Sequence, residues 1–292
     1  MIVFITSLRN PQNSNDYGMV ERLLELTLGS VAGQTNGDFE VVVVGNREPG
    51  FPLPERVHFL RADFPPPDER NIARTSWEAV VWDKGTKLAL GLVAASRFNP
   101  DFVMFFDADD FIHRGLAHFV NSRLGDPGWY ISHGYTYSGT RNSIARTGDF
   151  NHKCGTCVIA PYASYMVPND LGVDATQDEI ARAFGDRLWK VIGAHFHAVD
   201  WFIQNGYPLE PLPFRGAVYH VDTGENHSGQ AMRGWARPLN AELRAIFGLP
   251  AAARQPRLVE CYGPRATYYT LRGLLRASFR FIFRSLRRAA RR

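Results

Sequence analysis

The sequence predicts an α/β protein whose mostly parallel sheet is flanked by helices, and three observations carry that prediction. Short β-branched runs alternate with helically spaced segments over the first 110 residues, the pattern of strand-helix-strand units. Each run stops at Gly, Asn or Pro, as buried parallel strands do. The chain is 292 residues long and 45% apolar, enough to fill one large core or two closely joined lobes.

IVFITS (2–7) and FEVVVVGN (39–46) read as the first two strands. Between them, MVERLLELTLGSVAGQ places apolar residues at 20, 23, 24, 28 and 31, a helical spacing. RVHFLRA (56–62) gives a third strand, PPPDER an irregular loop, and SWEAVVWDKGTKLALGLVAAS a second helix leading into the strand DFVMFFD. Beyond about residue 115 the pattern loosens, with Gly, Tyr, His and Pro between short elements. WYISHGYTY and GTCVIAPYASYMV read as strands there, TQDEIARAFGDRLWKVIG and VDWFIQNG as helices. The expected organisation is a sheet-bearing half over 1–114, a mixed half of the same domain over 115–262 that closes over its site, and a tail over 263–292.

Charge is distributed unevenly. After Glu260 there is no acidic residue but there are nine arginines, so the first 260 residues carry 24 basic and 29 acidic groups, a formal charge of −5. An acidic body with a basic tail gives no reason to expect nucleic acid as a partner. Three scattered cysteines argue against a disulfide framework and suit a reducing compartment. The N-terminus has no basic leader, and no run of about 18 apolar residues occurs, so neither a signal peptide nor a spanning helix is expected.

The segment VMFFDADDFIHRG puts Asp107, Asp109 and Asp110 directly after a buried strand, where ligands bind in such sheets. Unpaired buried carboxylates are costly, so these three must meet solvent, cations or a metal. Asp107 and Asp109 flank one small residue and point the same way in an extended chain. Two hard oxygen ligands beside Ala108, which leaves room for the backbone to approach a ligand, suit Mg²⁺ or Mn²⁺ bridging a diphosphate. The same spacing also suits a solvated acidic turn.

Three segments taken in order narrow the choice: LGSVAGQTNGDFEVVVVGN, then DKGTKLALGLVAASRFNPDFVMFFDADDFIHRGLAHFV, then VDWFIQNGYPLEPLPFRGAVYHVDTGENHS. Together they resemble the landmark segments of family 2-like glycosyltransferases with the GT-A fold, over roughly residues 1 to 228. The resemblance implies a nucleotide-binding sheet, a nucleoside diphosphate sugar as donor with UDP favoured, and Mn²⁺ or Mg²⁺ at Asp107 and Asp109. It implies that Thr6, Ser7 and Arg9 contact the nucleobase, and that Lys84 and Lys87 supply basic contacts to the donor alongside Asp107 and Ala108. Asn46 stands where the family usually has an acid that reads the base. Asp200 matches the general base of inverting members, with Asp178 and Glu179 as fallback. His227 matches a position that reaches toward the metal or diphosphate, with His220 as its rival.

Other readings stand beside this one. HKCGTC, with His152, Cys154 and Cys157, invites a zinc site, but a fourth ligand, His195 or His197, would be needed. Ordinary strand cysteines beside the acceptor site fit better. A catalytically inactive nucleotide- or glycan-binding module and a nucleotidyltransferase are the functional rivals. The first is disfavoured by Asp107, Asp109 and Asp200, the second by the Gly-poor TSLRNPQNSNDYG after the first strand. In the tail, Leu271, Leu275, Ile282 and Leu286 share one helical face, and Arg272, Arg276, Arg280, Arg284, Arg287 and Arg291 sweep the other. Phe279, Phe281 and Phe283 border them. This basic amphipathic helix is expected to hold a cytoplasmic protein peripherally on the anionic inner membrane face, near a glycan or lipid-linked acceptor.

Overall fold

A computed structural model describes residues 1–68, 70, 75–226, 229–251 and 258–272. The first half runs β1 (Ile2–Ser7), α1 (Tyr17–Ala32), β2 (Phe39–Gly45), β3 (Val57–Arg61), α2 (Trp77–Ala95), β4 (Phe102–Phe105), β5 (Phe111–Ile112) and α3 (Leu116–Asn121). The second half runs β6 (Trp129–Tyr130), β7 (His133–Ser138), β8 (Ser143–Gly148), β9 (Val158–Pro161), α4 (Gln177–Phe184) and α5 (Ala198–Gln204). It continues with β10 (Glu210–Pro211), β11 (Ala217–Val221), β12 (Arg237–Pro238), α6 (Ala241–Phe247) and α7 (Leu258–Tyr262).

Seven strands form the main sheet in the order β10-β6-β9-β4-β1-β2-β3. β1 pairs in parallel with both β2 and β4, Ile2 lying opposite Phe39 on one side and Phe102 on the other. That central position explains why Ile2, Val3, Phe4 and Ile5 are wholly buried: both faces and both edges of the strand are covered. The predicted mostly parallel sheet flanked by helices is therefore present. β9 enters it antiparallel to β4 and β6, so the second half completes the sheet as well as lying against it. A second sheet, β12-β8-β7-β11-β5, stands beside the site.

Helix starts follow from capping side chains. Asp16 accepts the Met19 N–H at 3.1 Å to begin α1, and Ser76 accepts the Ala79 N–H at 3.2 Å to begin α2. α2 then lies so close on β1 that a Cβ at Gly91 would stand 2.5 Å from Ile5 Cγ2. Only a glycine allows that approach.

Three segments differ from their predicted form. GTCVIAPYASYMV is a strand only over β9, with Cys154 and Cys157 in the turn before it and a tight helical turn at Tyr162–Tyr165 after it. WYISHGYTY is not one strand: at Ile131 and Ser132 the chain leaves the main sheet (β6) for the second one (β7), and Gly134 leaves the room that the Phe150 ring fills. TQDEIARAFGDRLWKVIG is not one helix. α4 stops at Gly185, whose φ of 52° ends the helical path, and Leu188–Ile192 forms a separate wide turn. Of the predicted tail helix, 264–272 is helical and held to the body by Trp235, whose Nε1–H and backbone N–H donate to Thr267 Oγ1 (2.9 Å) and Thr270 Oγ1 (2.8 Å). Residues 273–292 lie outside the described residues.

Candidate active site

A cavity of about 250 Å³ opens at the carboxyl ends of β1 and β4. Ser7 and Arg9 reach it from the end of β1, Asp83 and Lys84 from α2, and Asp107, Ala108 and Asp109 from the end of β4. His195, Glu225 and Asn226 close it from the second half of the chain. Most of the predicted donor and metal residues thus share one cavity.

Asp107 is paired with the Lys84 ammonium and accepts the Gly155 N–H at 3.3 Å. Burial is the largest influence and works to raise its carboxyl, but the Lys84 charge and hydrogen bond, with His195 and the Gly155 N–H, together hold Asp107 below the ordinary range. A Cβ at Gly155 would lie 2.7 Å from Asp107 Oδ2, so a larger residue there would push that carboxylate from its place. Asp109 accepts Asn226 Nδ2–H at 2.8 Å. Burial, with the Asp107 charge beside it, pushes Asp109 up to about 7.

Asp110 faces inward and is wholly buried. It accepts the His220 N–H at 3.0 Å, the Cys154 S–H at 2.9 Å and the Thr156 hydroxyl. This third carboxylate is an internal anchor joining β11 to the 154–156 turn. Its oxygen, one of Asp107 and Cys154 Sγ lie within 4.8 Å of one another. Burial and the neighbouring carboxylates push the Cys154 thiol far up, and its S–H is spent on Asp110.

The pair that faces the cavity, Asp107 and Asp109, fits Mg²⁺ or Mn²⁺. Its donors are hard oxygens, and burial together with the Asp107 charge disfavours the charged form of Asp109 even with Lys84 and Arg9 nearby. A divalent ion would relieve that repulsion.

Other predicted residues are placed as follows. Thr6 is buried behind the cavity. Asn46 gives both amide hydrogens to Ala62 O and Phe64 O, each at 2.9 Å, fixing the end of β2 to the segment after β3; it does not line the cavity. Neither does Lys87, which is wholly buried and donates to Leu8 O at 2.9 Å and Asp83 Oδ2 at 2.8 Å. Asp200 is exposed in the first turn of α5, outside the cavity lining. Glu179 completes the capping box of α4 with Thr176, and Asp178 is exposed beside it. His220 lies on β11 between the rings of Phe111 and Tyr137, and burial holds its imidazole down near 4. His227 lies outside the described residues.

His152 turns its ring toward Phe196 (centroids 5.3 Å apart), while Cys154 and Cys157 are buried free thiols. Among the described residues these three form no ligand cluster. Sequence reasoning passed over Glu225 and Asn226, which share the TGENHS segment with His227. It considered His195 only as a zinc ligand. Burial and the Lys84 ammonium lower that imidazole to about 4, so it is neutral at physiological pH.

No protein-family model and no curated protein sequence matches the chain. Solved structures to which it is similar include S. aureus TarS, with 12% identity and a TM-score of 0.39, covering 75% of this chain and 36% of that one. The TarS 1–349 structure in complex with UDP has 13% identity and a TM-score of 0.39, covering 76% of this chain and 61% of that one. The chain thus spans between about a third and three fifths of their lengths.

Proposed function

We propose that this chain is a metal-dependent GT-A-type glycosyltransferase that moves a sugar from a nucleoside diphosphate sugar, UDP favoured, to a hydroxyl of a glycan or lipid-linked acceptor with inversion. The observation that carries the reading is the convergence of Asp107, Asp109, Lys84, Ser7 and Arg9 on one cavity at the carboxyl ends of the central strands. Mn²⁺ or Mg²⁺ held by Asp107 and Asp109 would neutralise charge developing on the departing diphosphate. Lys84 adds a fixed positive charge at the same place, and Ala108 leaves room for the donor. Ser7 and Arg9 face the nucleoside, while Thr6, Asn46 and Lys87 support the strand ends behind them. His227 follows directly on the cavity residue Asn226, in keeping with a role toward the diphosphate.

Asp200 is the proposed base that takes the acceptor proton. His195, neutral and lining the cavity, is the alternative that its position favours. Asp200→Asn is expected to lower kcat by about 10²- to 10⁴-fold with donor affinity unchanged. If His195→Gln does so and Asp200→Asn does not, the base is His195.

The whole reading is tested with a panel of nucleotide sugars and Mn²⁺ or Mg²⁺, scored for release of nucleoside diphosphate. Metal-dependent release from one donor supports it; silence across the panel with a folded protein removes it.

Among the described residues no helix is long and apolar enough to cross a membrane. We place the protein peripherally on the cytoplasmic face of an anionic membrane. Exposed Tyr262, Tyr268 and Leu271 beside Arg265 and Arg272 support that placement.

A further inference from the structure

The five residues after β11, 222 to 226, form a tight turn. Asp222 (φ 62°) and Gly224 (φ 83°) occupy the left-handed region, and Thr223 Oγ1 accepts the backbone N–H groups of Glu225 (3.3 Å) and Asn226 (3.2 Å). The last two residues of the turn serve different walls of the cavity. Glu225, with only 6% of its side chain exposed, accepts Arg9 Nη1–H at 2.6 Å. The same carboxylate accepts the backbone N–H groups of Asn15 (3.3 Å) and Asp16 (2.9 Å), at the start of α1. Asn226 donates through Nδ2 to Asp109 Oδ2 and to His220 O, both at 2.8 Å. Its orientation is fixed, because its Oδ1 already accepts the Thr223 N–H at 3.2 Å and the Thr223 hydroxyl.

We infer that Glu225 and Asn226 are positioning residues that, from one turn, set Arg9 and Asp109 to receive the nucleoside and diphosphate ends of a single donor. The inference rests on the donor reading above. A free arginine side chain has many rotamers, and ordering it on binding weakens affinity. A buried carboxylate partner orders Arg9 before any ligand arrives. Asp109, which lines the cavity, is likewise kept from rotating, with Oδ2 tied to Asn226.

The test uses the full chain, with UDP binding measured calorimetrically in Mn²⁺ and Mn²⁺ binding measured alone by electron paramagnetic resonance. Arg9→Gln and Glu225→Gln should each weaken UDP by about 10-fold. The double variant should be no worse than Arg9→Gln, because Glu225 acts through Arg9. A Glu225 that only braces Asn15 and Asp16 gives additive losses, and that result, or unaltered UDP affinity in Glu225→Gln, overturns the Arg9 half. Asn226→Ala should weaken Mn²⁺ alone by about 10-fold; Asn226→Ser, which keeps a polar group in the turn, replaces it if the first variant does not fold. Unchanged Mn²⁺ affinity overturns the Asp109 half. A wild-type protein that binds none of UDP, GDP and dTDP overturns the donor reading itself and the positioning with it. Wild-type binding with unaltered variants overturns the positioning alone.

Discussion

Two regions of the molecule receive a lysine from the same helix and treat it oppositely. Beneath β1, Lys87 is wholly buried against Asp83 and the Leu8 carbonyl. At the end of β4, Lys84 keeps 29% of its side chain exposed and pairs with Asp107, itself 27% exposed. In the first region burial dominates, pushing the Lys87 ammonium down and the Asp83 carboxyl up. In the second, burial is still the largest single influence, but the charge and hydrogen bond of Asp107 with the charges of Cys154 and Asp110 together exceed it and Lys84 is raised. A closed pair that also ties down a backbone carbonyl is a brace for the strand end. A pair open to a cavity can exchange its partner for a ligand.

The largest expected effect lies in the open region. Asp109→Ala should lower transfer by about 10³-fold or more while the melting temperature holds, because the side chain stands at a strand end and not in the core. Near-normal, metal-independent transfer by the folded variant would erase the distinction between the two regions. Next comes Lys87→Met, which leaves Asp83 buried without its cation and should cost about 3–5 kcal/mol, a fall in melting temperature of about 10 °C. Calorimetry that shows no fall would mean the buried pair braces nothing. Lys84→Met sharpens the contrast: stability should change by about 1 kcal/mol at most, while donor binding weakens by about 10- to 100-fold. The smallest effect is expected from removing 273–292, which takes away seven arginines but spares the helix held by Trp235. Co-sedimentation with anionic vesicles should drop, and with neutral vesicles stay low; retention that ignores lipid charge and salt would rule out an electrostatic anchor.

How legible each region was depended on the range of the contacts that build it. β1, β2, β3 and β4 fell within a residue or two of their predicted bounds, because short runs of β-branched, aromatic and other apolar residues bounded by polar or Gly and Pro positions mark a strand locally, whether it is covered on both faces like β1 or lies at the edge like β3. Asp107 and Asp109 were legible for the same reason: a strand end is a local event. The second half was harder, since β6 and β7 share one apolar run yet join different sheets, and no local signal marks the crossing at Ile131. The two fates of Lys84 and Lys87 were not legible either. Both lie on α2, and only the packing of Leu8 and Asp107 around that helix separates them. Glu225 and Asn226 escaped notice because their partners, Arg9 and Asp109, are 216 and 117 positions away.

The thiol of Cys154 has a use as a natural clock. It is buried behind the carboxylates, donates to Asp110 and is held protonated, so a thiol reagent such as an aromatic disulfide can attack it only while the 154–156 turn is lifted away. Cys157 and Cys261 are buried too, so labelling will be slow at all three sites, and mass spectrometry can time each one separately. The rate at Cys154 then reports how often the wall of the cavity opens, and any molecule that settles against Asp107 will slow that rate without a radioactive sugar, a coupled enzyme or a known acceptor.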